Sequence, residues 1–280
     1  MKAGSELRAV AFDLDDTILR DDLTISDYTV YVLRRLHSDG YCIIAASGRA
    51  RLSMKPYVDQ IGCVNAYISC NGAEIWDGPS GSLIRQELFS AETAREIACF
   101  AEEHDCYAQT YEEDRFCFNR YGEYADRYAL SARLKGVYVG KLSDYIQEPR
   151  NKILLMDDEA RIAVLYKEAA IRFSGRASVT CSKPFYLEFN PVRATKGIAL
   201  DALAEHLGIL PGQIVAFGDS LNDLSMLRTA GISVTVSNGW QEIRPYCDHI
   251  CGSNNEDGPA HFLDDLIYAG RCSHDFRQGL

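Results

Sequence analysis

Positive charge is scarce in this 280-residue chain: 29 lysines and arginines stand against 40 acidic residues, a formal net charge of −11. Such a surface repels phosphate-rich polymers and anionic lipids unless a local basic patch intervenes, so neither nucleic acid nor a membrane is an expected partner. A small ligand suits the balance better, and a cation could offset clustered carboxylates. The chain also lacks any run of about 18 apolar residues able to span a bilayer. Its opening, MKAGSELRAV, has no apolar core of signal-peptide length, and a cytoplasmic protein is expected. The ten cysteines are scattered singly and form no disulfide framework, which predicts reduced, mostly buried thiols. Cys247, His249 and Cys251 would share one face of a strand, but their spacing matches no zinc pattern, and a buried sheet edge is expected there. Two nucleotide signatures are missing as well. No GxGxxG follows the first strand, and GVYVGKL at 136–142 is one residue short of a P-loop, with Leu142 where a hydroxyl is needed.

What the chain does have is a globular composition, 47% hydrophobic and 25% charged, which argues against disorder. Its length suits a core plus a second unit. RAVAF at 8–12 reads as a buried strand, the segment after Ser26 as a helix stopped by Gly40, and YCIIAAS as another buried strand. This β-α-β alternation implies parallel strands and right-handed crossovers. It returns near the other end in TKGIALDALAEHLG, QIVAFGDS, LNDLSMLRTAG, GISVTVSNG and PAHFLDDLIYAG. The middle differs. A helix in SAETAREIACFAEEH is followed by alternating CYAQTY and RFCFN, then KILLMDD, a helix over Glu159–Phe173 and SVTCSKPFYLEF. The expected fold class is α/β: a doubly wound parallel-sheet core, residues 1–82 and 190–280, with an α/β unit inserted at 83–189. The tail SHDFRQGL reads as loose.

In an open parallel sheet, ligands bind beyond the carboxyl ends of the strands, which directs attention to three loops. After RAVAF come Asp13, Asp15 and Asp16; an i, i+2 pair sends Asp13 and Asp15 the same way if strand geometry persists, and adjacent carboxylates need a cation or a shared proton. Asp15 or Asp16 would otherwise merely cap a turn. After YCIIAA come Ser47, Gly48 and Arg49, where a hydroxyl and a freed amide suit a phosphate oxygen, although Ser47 as a simple N-cap explains the same residues. After QIVAF come Asp219, Ser220, Asn222 and Asp223. They are either first-turn acids or the second half of an oxygen-rich site of the kind Mg²⁺ prefers. Lys196, at the start of a helix, opposes the helix dipole and is easier to justify by a ligand, although an exposed surface lysine is the default for any single one.

The order FDLDDT (12–17), SGR (47–49), NGA (71–73), TKG (195–197) and GDSLND (218–223), closed by SNNEDGPAHFL (253–263), resembles the haloacid dehalogenase-like (HAD) phosphatases. Within them it is similar to the Cof-type branch, whose large α/β cap is inserted after the third core strand. The resemblance covers essentially the whole chain. It implies that Asp13 is the nucleophile, forming an aspartyl-phosphate, and that Asp15 is the general acid and then base. Mg²⁺ would be held by Asp13, the backbone carbonyl of Asp15 and Asp219, with Asp223 acting directly or through water and Ser220 contributing. Phosphate would be held by Ser47, the amides of Leu14 and Gly48, Lys196 and Asn222. Thr17 and Arg49 would support the site, and Asn71 and Gly72 would line its entrance. Two departures from the family pattern are Arg193 in NPVRATKG and Pro259 after Gly258; Arg193 near the entrance would alter charge preference.

The implied substrate is a small phosphorylated metabolite, selected by the cap. Tyr107, Tyr111, Arg115, Arg120, Tyr121, Tyr124 and Arg127 are the residues there suited to stacking on or hydrogen-bonding a sugar or ring, or simply to building the cap itself. A phosphomutase and a non-catalytic phosphometabolite sensor are the alternatives. No pattern in the chain sets an oligomeric state.

Overall fold

A computed structural model describes residues 6–112 and 115–269; the tail SHDFRQGL lies outside them. The first unit opens with β1 (Ala9–Asp13), α1 (Asp27–Ser38), β2 (Cys42–Ala46), α2 (Arg51–Ile61), β3 (Ala66–Ser69), β4 (Glu74–Asp77) and β5 (Leu83–Gln86). The inserted unit holds α3 (Ala91–Glu103), β6 (Tyr107–Glu112), β7 (Arg115–Phe118), α4 (Glu123–Ala132), β8 (Lys135–Tyr138), α5 (Leu142–Tyr145), β9 (Ile153–Met156), α6 (Glu159–Arg172), β10 (Ser178–Thr180) and β11 (Tyr186–Asn190). The chain then returns through α7 (Lys196–Leu207), β12 (Ile214–Gly218), α8 (Leu224–Thr229), β13 (Ile232–Val236), β14 (His249–Cys251) and α9 (Gly258–Asp264).

The core sheet runs β14-β13-β12-β1-β2-β3-β4-β5. Its pairs from β14 to β3 are parallel, and β4 and β5 add an antiparallel hairpin. The apolar runs of β1, β2 and β12 are what a sheet covered on both faces requires. Val10 and Phe12 pack with Leu33 of α1, Met54 of α2 and Leu263 of α9, while Ala9 and Ala11 face Leu200 and Leu203 of α7 and Met226 of α8. The helix boundaries follow local chemistry. Ser26 accepts from the Thr29 amide at 3.0 Å, and Gly208, at φ +65°, closes α7 in the left-handed region that glycine adopts freely.

The second sheet runs β10-β11-β9-β6-β7-β8 and is antiparallel except for β7–β8. One face carries α3 and α6, with Phe100, Ile97 and Ile162 packed on Ile153, Leu155 and Phe189. On the other, Leu154 and Met156 pack with Tyr128 of α4, and Ala50 and Leu52 of the core reach that cluster.

The doubly wound core with an inserted α/β cap is therefore present. Strand β5 pairs with β4 and extends the core sheet through Gln86, and β11 of the second sheet runs through Asn190. Two expectations are not met. The Cys247 to Cys251 edge is half exposed, since β14 ends the sheet and leaves His249 and Ile250 open to solvent. The nine described cysteines are all free, but only Cys70, Cys106 and Cys117 are buried. No helix among the described residues is long and apolar enough to cross a membrane.

Candidate active site

The three loops converge at the carboxyl ends of β1, β2 and β12, under the inserted unit. Strand β1 ends on Asp13, buried at 4% exposure. The chain then turns sharply, with Asp16 at φ +56° and the Leu19 amide closing on the Leu14 carbonyl at 2.8 Å. From the far end of the chain, β12 runs into Asp219, Ser220 and the turn Leu221–Asp223. The Thr17 hydroxyl, fully buried, donates to Asp219 Oδ1 at 3.3 Å and so ties the two acidic loops together.

Lys196 lies behind this pair of loops with no exposed surface. Its Nζ donates to Asp13 Oδ1 and Asp223 Oδ1, each at 2.5 Å. The second oxygen of Asp223 accepts from the Asp219 and Ser220 amides at 3.0 and 3.1 Å. Helix α7 delivers the lysine because Gly72, at φ +104°, lets the loop after β3 press on it: a Cβ there would sit 2.3 Å from the Thr195 carbonyl oxygen.

Asp13, Asp219 and Asp223 each bring a carboxylate oxygen within 4.8 Å of the others. Burial pushes the Asp13 carboxyl well above its ordinary value, with Asp223 and Asp15 adding to the rise against the pull of Lys196. Burial, with Asp223 and Asp13 beside it, pushes Asp219 up to about 9 against the pull of Lys196. One lysine thus undercompensates three buried carboxylates, and the donor set is all hard oxygen, as a Mg²⁺-like ion prefers. Asp15 is different. Burial opposes its charge, but Arg49 prevails and holds it below the usual carboxylate range, through hydrogen bonds of 2.8 and 2.7 Å to its two oxygens. Arg49 also donates to Ser53 and to the Ser131 carbonyl of the inserted unit.

A cavity of about 140 Å³ opens over these groups. Asp13, Asp15, Gly48, Arg49, Asp219, Ser220, Asn222 and Trp240 line it from the core. Its roof is Tyr128, Ser131, Lys152, Leu154, Lys183, Tyr186 and Glu188 from the inserted unit.

The Asp15 carboxylate is taken by Arg49, and the Ser220 hydroxyl donates to Asn222 Oδ1 at 2.6 Å. Ser47 is buried and its Oγ accepts from the Arg49 amide at 3.1 Å, while Leu14 is buried behind the loop. Asn71 is no entrance residue, being buried and bonded to Asn222 and Glu188. Arg193 is exposed and nears Glu87 at 3.9 Å, away from the cavity. Among the cap candidates, Tyr107 and Tyr111 build the cap interior. Arg115, Arg120 and Arg127 pair with Glu112, Asp105 and Glu123 on its surface, Tyr121 is exposed, and Tyr124 lies outside the cavity. The residues missed were Lys152 and Glu188. The signal was there: a glutamate inside the apolar run FYLEF and a lysine opening KILLM.

The model of the haloacid dehalogenase-like hydrolases matches residues 10–263, taking in all of these loops. The chain belongs to that family. It is an enzyme of the family's Cof-type branch, and the family generally uses a divalent metal. Over 91% of this chain and 94% of its own, the HMP-PP phosphatase of Cronobacter sakazakii is 29% identical. The 5-amino-6-(5-phospho-D-ribitylamino)uracil phosphatase YcsE of Bacillus subtilis is 24% identical over the same shares. A haloacid dehalogenase-like hydrolase from Bacteroides thetaiotaomicron shares the fold at a TM-score of 0.86 and 24% identity, covering 94% of this chain and 100% of that one.

Proposed function

We propose that this haloacid dehalogenase-like hydrolase is a Mg²⁺-dependent phosphatase of small phosphorylated metabolites that works through an aspartyl-phosphate at Asp13. The observation that carries this reading is the buried convergence of Asp13, Asp219, Asp223 and Lys196, with Asp13 and Asp219 lining a cavity roofed by the inserted unit and Lys196 and Asp223 packed behind them. Lys196 keeps a positive charge beside Asp13, which favours the carboxylate over the acid and so favours the nucleophile. Asp13, Asp219 and Asp223 would hold the ion, with the Asp15 carbonyl and Ser220 beside them. Bound Mg²⁺ neutralises the carboxylates and the transferring phosphoryl oxygens.

Gly48 and Asn222 at the cavity, the Ser47 hydroxyl, the Leu14 amide and Lys196 supply donors for the phosphoryl oxygens, and the Ser47 oxygen also accepts from the Arg49 amide. Asp15 lines the cavity; once the Arg49 fork releases its carboxylate and it takes a proton from solvent, it protonates the leaving alkoxide, and the carboxylate so regenerated then takes the proton of the attacking water. The roof chooses the substrate. Tyr128 and Tyr186 offer ring faces and Lys183 a charge, which suits a polar or ring-bearing leaving group.

The test is phosphate release from para-nitrophenyl phosphate and a panel of phosphorylated metabolites, with Mg²⁺ or EDTA, by wild type and Asp13→Asn. Release that requires Mg²⁺ and disappears in the variant supports the reading. Full release in EDTA, or from folded Asp13→Asn, refutes it.

A further inference from the structure

Lys152 and Glu188 form an ion pair in which each side chain is 3% exposed, in the wall of the cap that faces the core. Taking two charges out of water is costly, and an apolar pair would pack there with less penalty. The pair's other bonds all cross into the core. Lys152 Nζ donates to the Gly48 carbonyl at 3.1 Å, and Glu188 Oε2 accepts from Asn71 Nδ2 at 3.1 Å. Asn71 Oδ1 accepts from Asn222 Nδ2 at 3.1 Å, and Asn222 Oδ1 from Ser220 Oγ at 2.6 Å. One unbroken chain of hydrogen bonds therefore joins β11 and the residue that leads into β9 to the loops after β2, β3 and β12.

The Gly48 carbonyl belongs to the peptide whose N–H, on Arg49, holds the Ser47 hydroxyl. Fixing that carbonyl fixes the plane of the peptide, and with it the direction of the serine oxygen and the arginine side chain that grips Asp15. The loop is tight: a Cβ on Gly48 would lie 2.9 Å from Asn71 Oδ1. Glu188 at the same time neutralises Lys152, so the lysine serves the backbone and is not left as a free cation competing for the phosphate.

We propose that Lys152 and Glu188 are positioning residues that make the phosphate cradle complete only when the cap is docked. The proposal rests on the phosphatase reading of the site. Separation of the cap removes the Gly48 and Asn71 contacts together, and the cradle loses its set geometry.

The experiment uses the full-length protein with Lys152→Met, Lys152→Arg, Glu188→Gln and the double change Lys152→Met with Glu188→Met. It reads kcat and KM for para-nitrophenyl phosphate, binding of inorganic phosphate by calorimetry, and the thermal midpoint. The proposal predicts that Lys152→Met and Glu188→Gln lower kcat by about 10–100-fold and weaken phosphate binding, as loss of positioning does. Lys152→Arg keeps part of kcat. The double variant, whose apolar pair restores packing, recovers the thermal midpoint but not kcat or phosphate binding. If kcat and phosphate affinity recover together with the midpoint, or never fall in the singles, the pair is purely structural and the proposal is overturned. Wild type that binds phosphate yet hydrolyses nothing would fail the phosphatase reading instead, and the phosphate affinities alone would then decide between these outcomes.

Discussion

Asp13, Lys196 and Asp223 form a buried group in which a single lysine bridges two carboxylates. Deleting the only cation among them, in Lys196→Met, leaves buried carboxylates facing one another and is expected to cost about 3–5 kcal/mol. Urea unfolding measures that loss, and phosphate release falls to background in the same protein. Asp15 makes a subtler prediction. If it protonates the leaving group, Asp15→Asn slows hydrolysis of alkyl phosphates by about 10²–10⁴-fold. The effect on para-nitrophenyl phosphate is much smaller, because that leaving group departs without a proton. Equal losses on both substrates would assign Asp15 a binding role. Asp13, Asp15, Lys196 and Asp219 were legible because each sits at a fixed place relative to a strand or helix end. The bond between Asp15 and Arg49 was not, nor was that between Ser220 and Asn222, since sequence gives no side-chain rotamer.

Among elements, the buried strands were the easiest to read. RAVAF, YCIIAA and QIVAF are continuous apolar runs, and β1, β2 and β12 lie on them. The hairpin β4–β5 escaped notice because Leu83–Gln86 is short, partly charged and largely exposed at the sheet edge, where no apolar alternation is imposed. The tyrosines and arginines of the cap misled for a related reason. Tyr107, Tyr111 and Arg115 lie on β6 and β7 and Tyr124 and Arg127 on α4, and composition alone does not say which faces of these elements look toward the core. The loop joining β3 to β4 is where an element's geometry bears on catalysis. Gly72→Ala would place a methyl group against the Thr195 carbonyl at a positive φ. A loss of about 1–3 kcal/mol in urea unfolding is expected, together with lower kcat as α7 and Lys196 shift. Unchanged kcat in the folded variant would show that α7 is held by its other contacts.

At the scale of the whole molecule, the active site exists only where two units meet, and cation binding ought to be visible in global stability. A ligand present at about 100 times its Kd adds about 2.7 kcal/mol to the folded state. Mg²⁺ should therefore raise the thermal midpoint of wild type, and Asp219→Asn should abolish that rise; an equal rise in both would place the ion elsewhere. The cap joins the core through two linkers, after β5 and after β11, so opening and closing of the cavity is the motion the connectivity permits. Small-angle scattering with Mg²⁺ and a phosphate analogue should give a more compact profile than the free protein, and identical profiles would contradict gating by the cap. The central claim is that the phosphoryl group passes through Asp13. Reducing the acyl phosphate with borohydride during turnover of para-nitrophenyl phosphate, followed by peptide mass spectrometry, tests it directly. The account predicts homoserine at position 13 and at no other carboxylate. Reduction at a different aspartate, or none while phosphate release continues at its full rate, would contradict it.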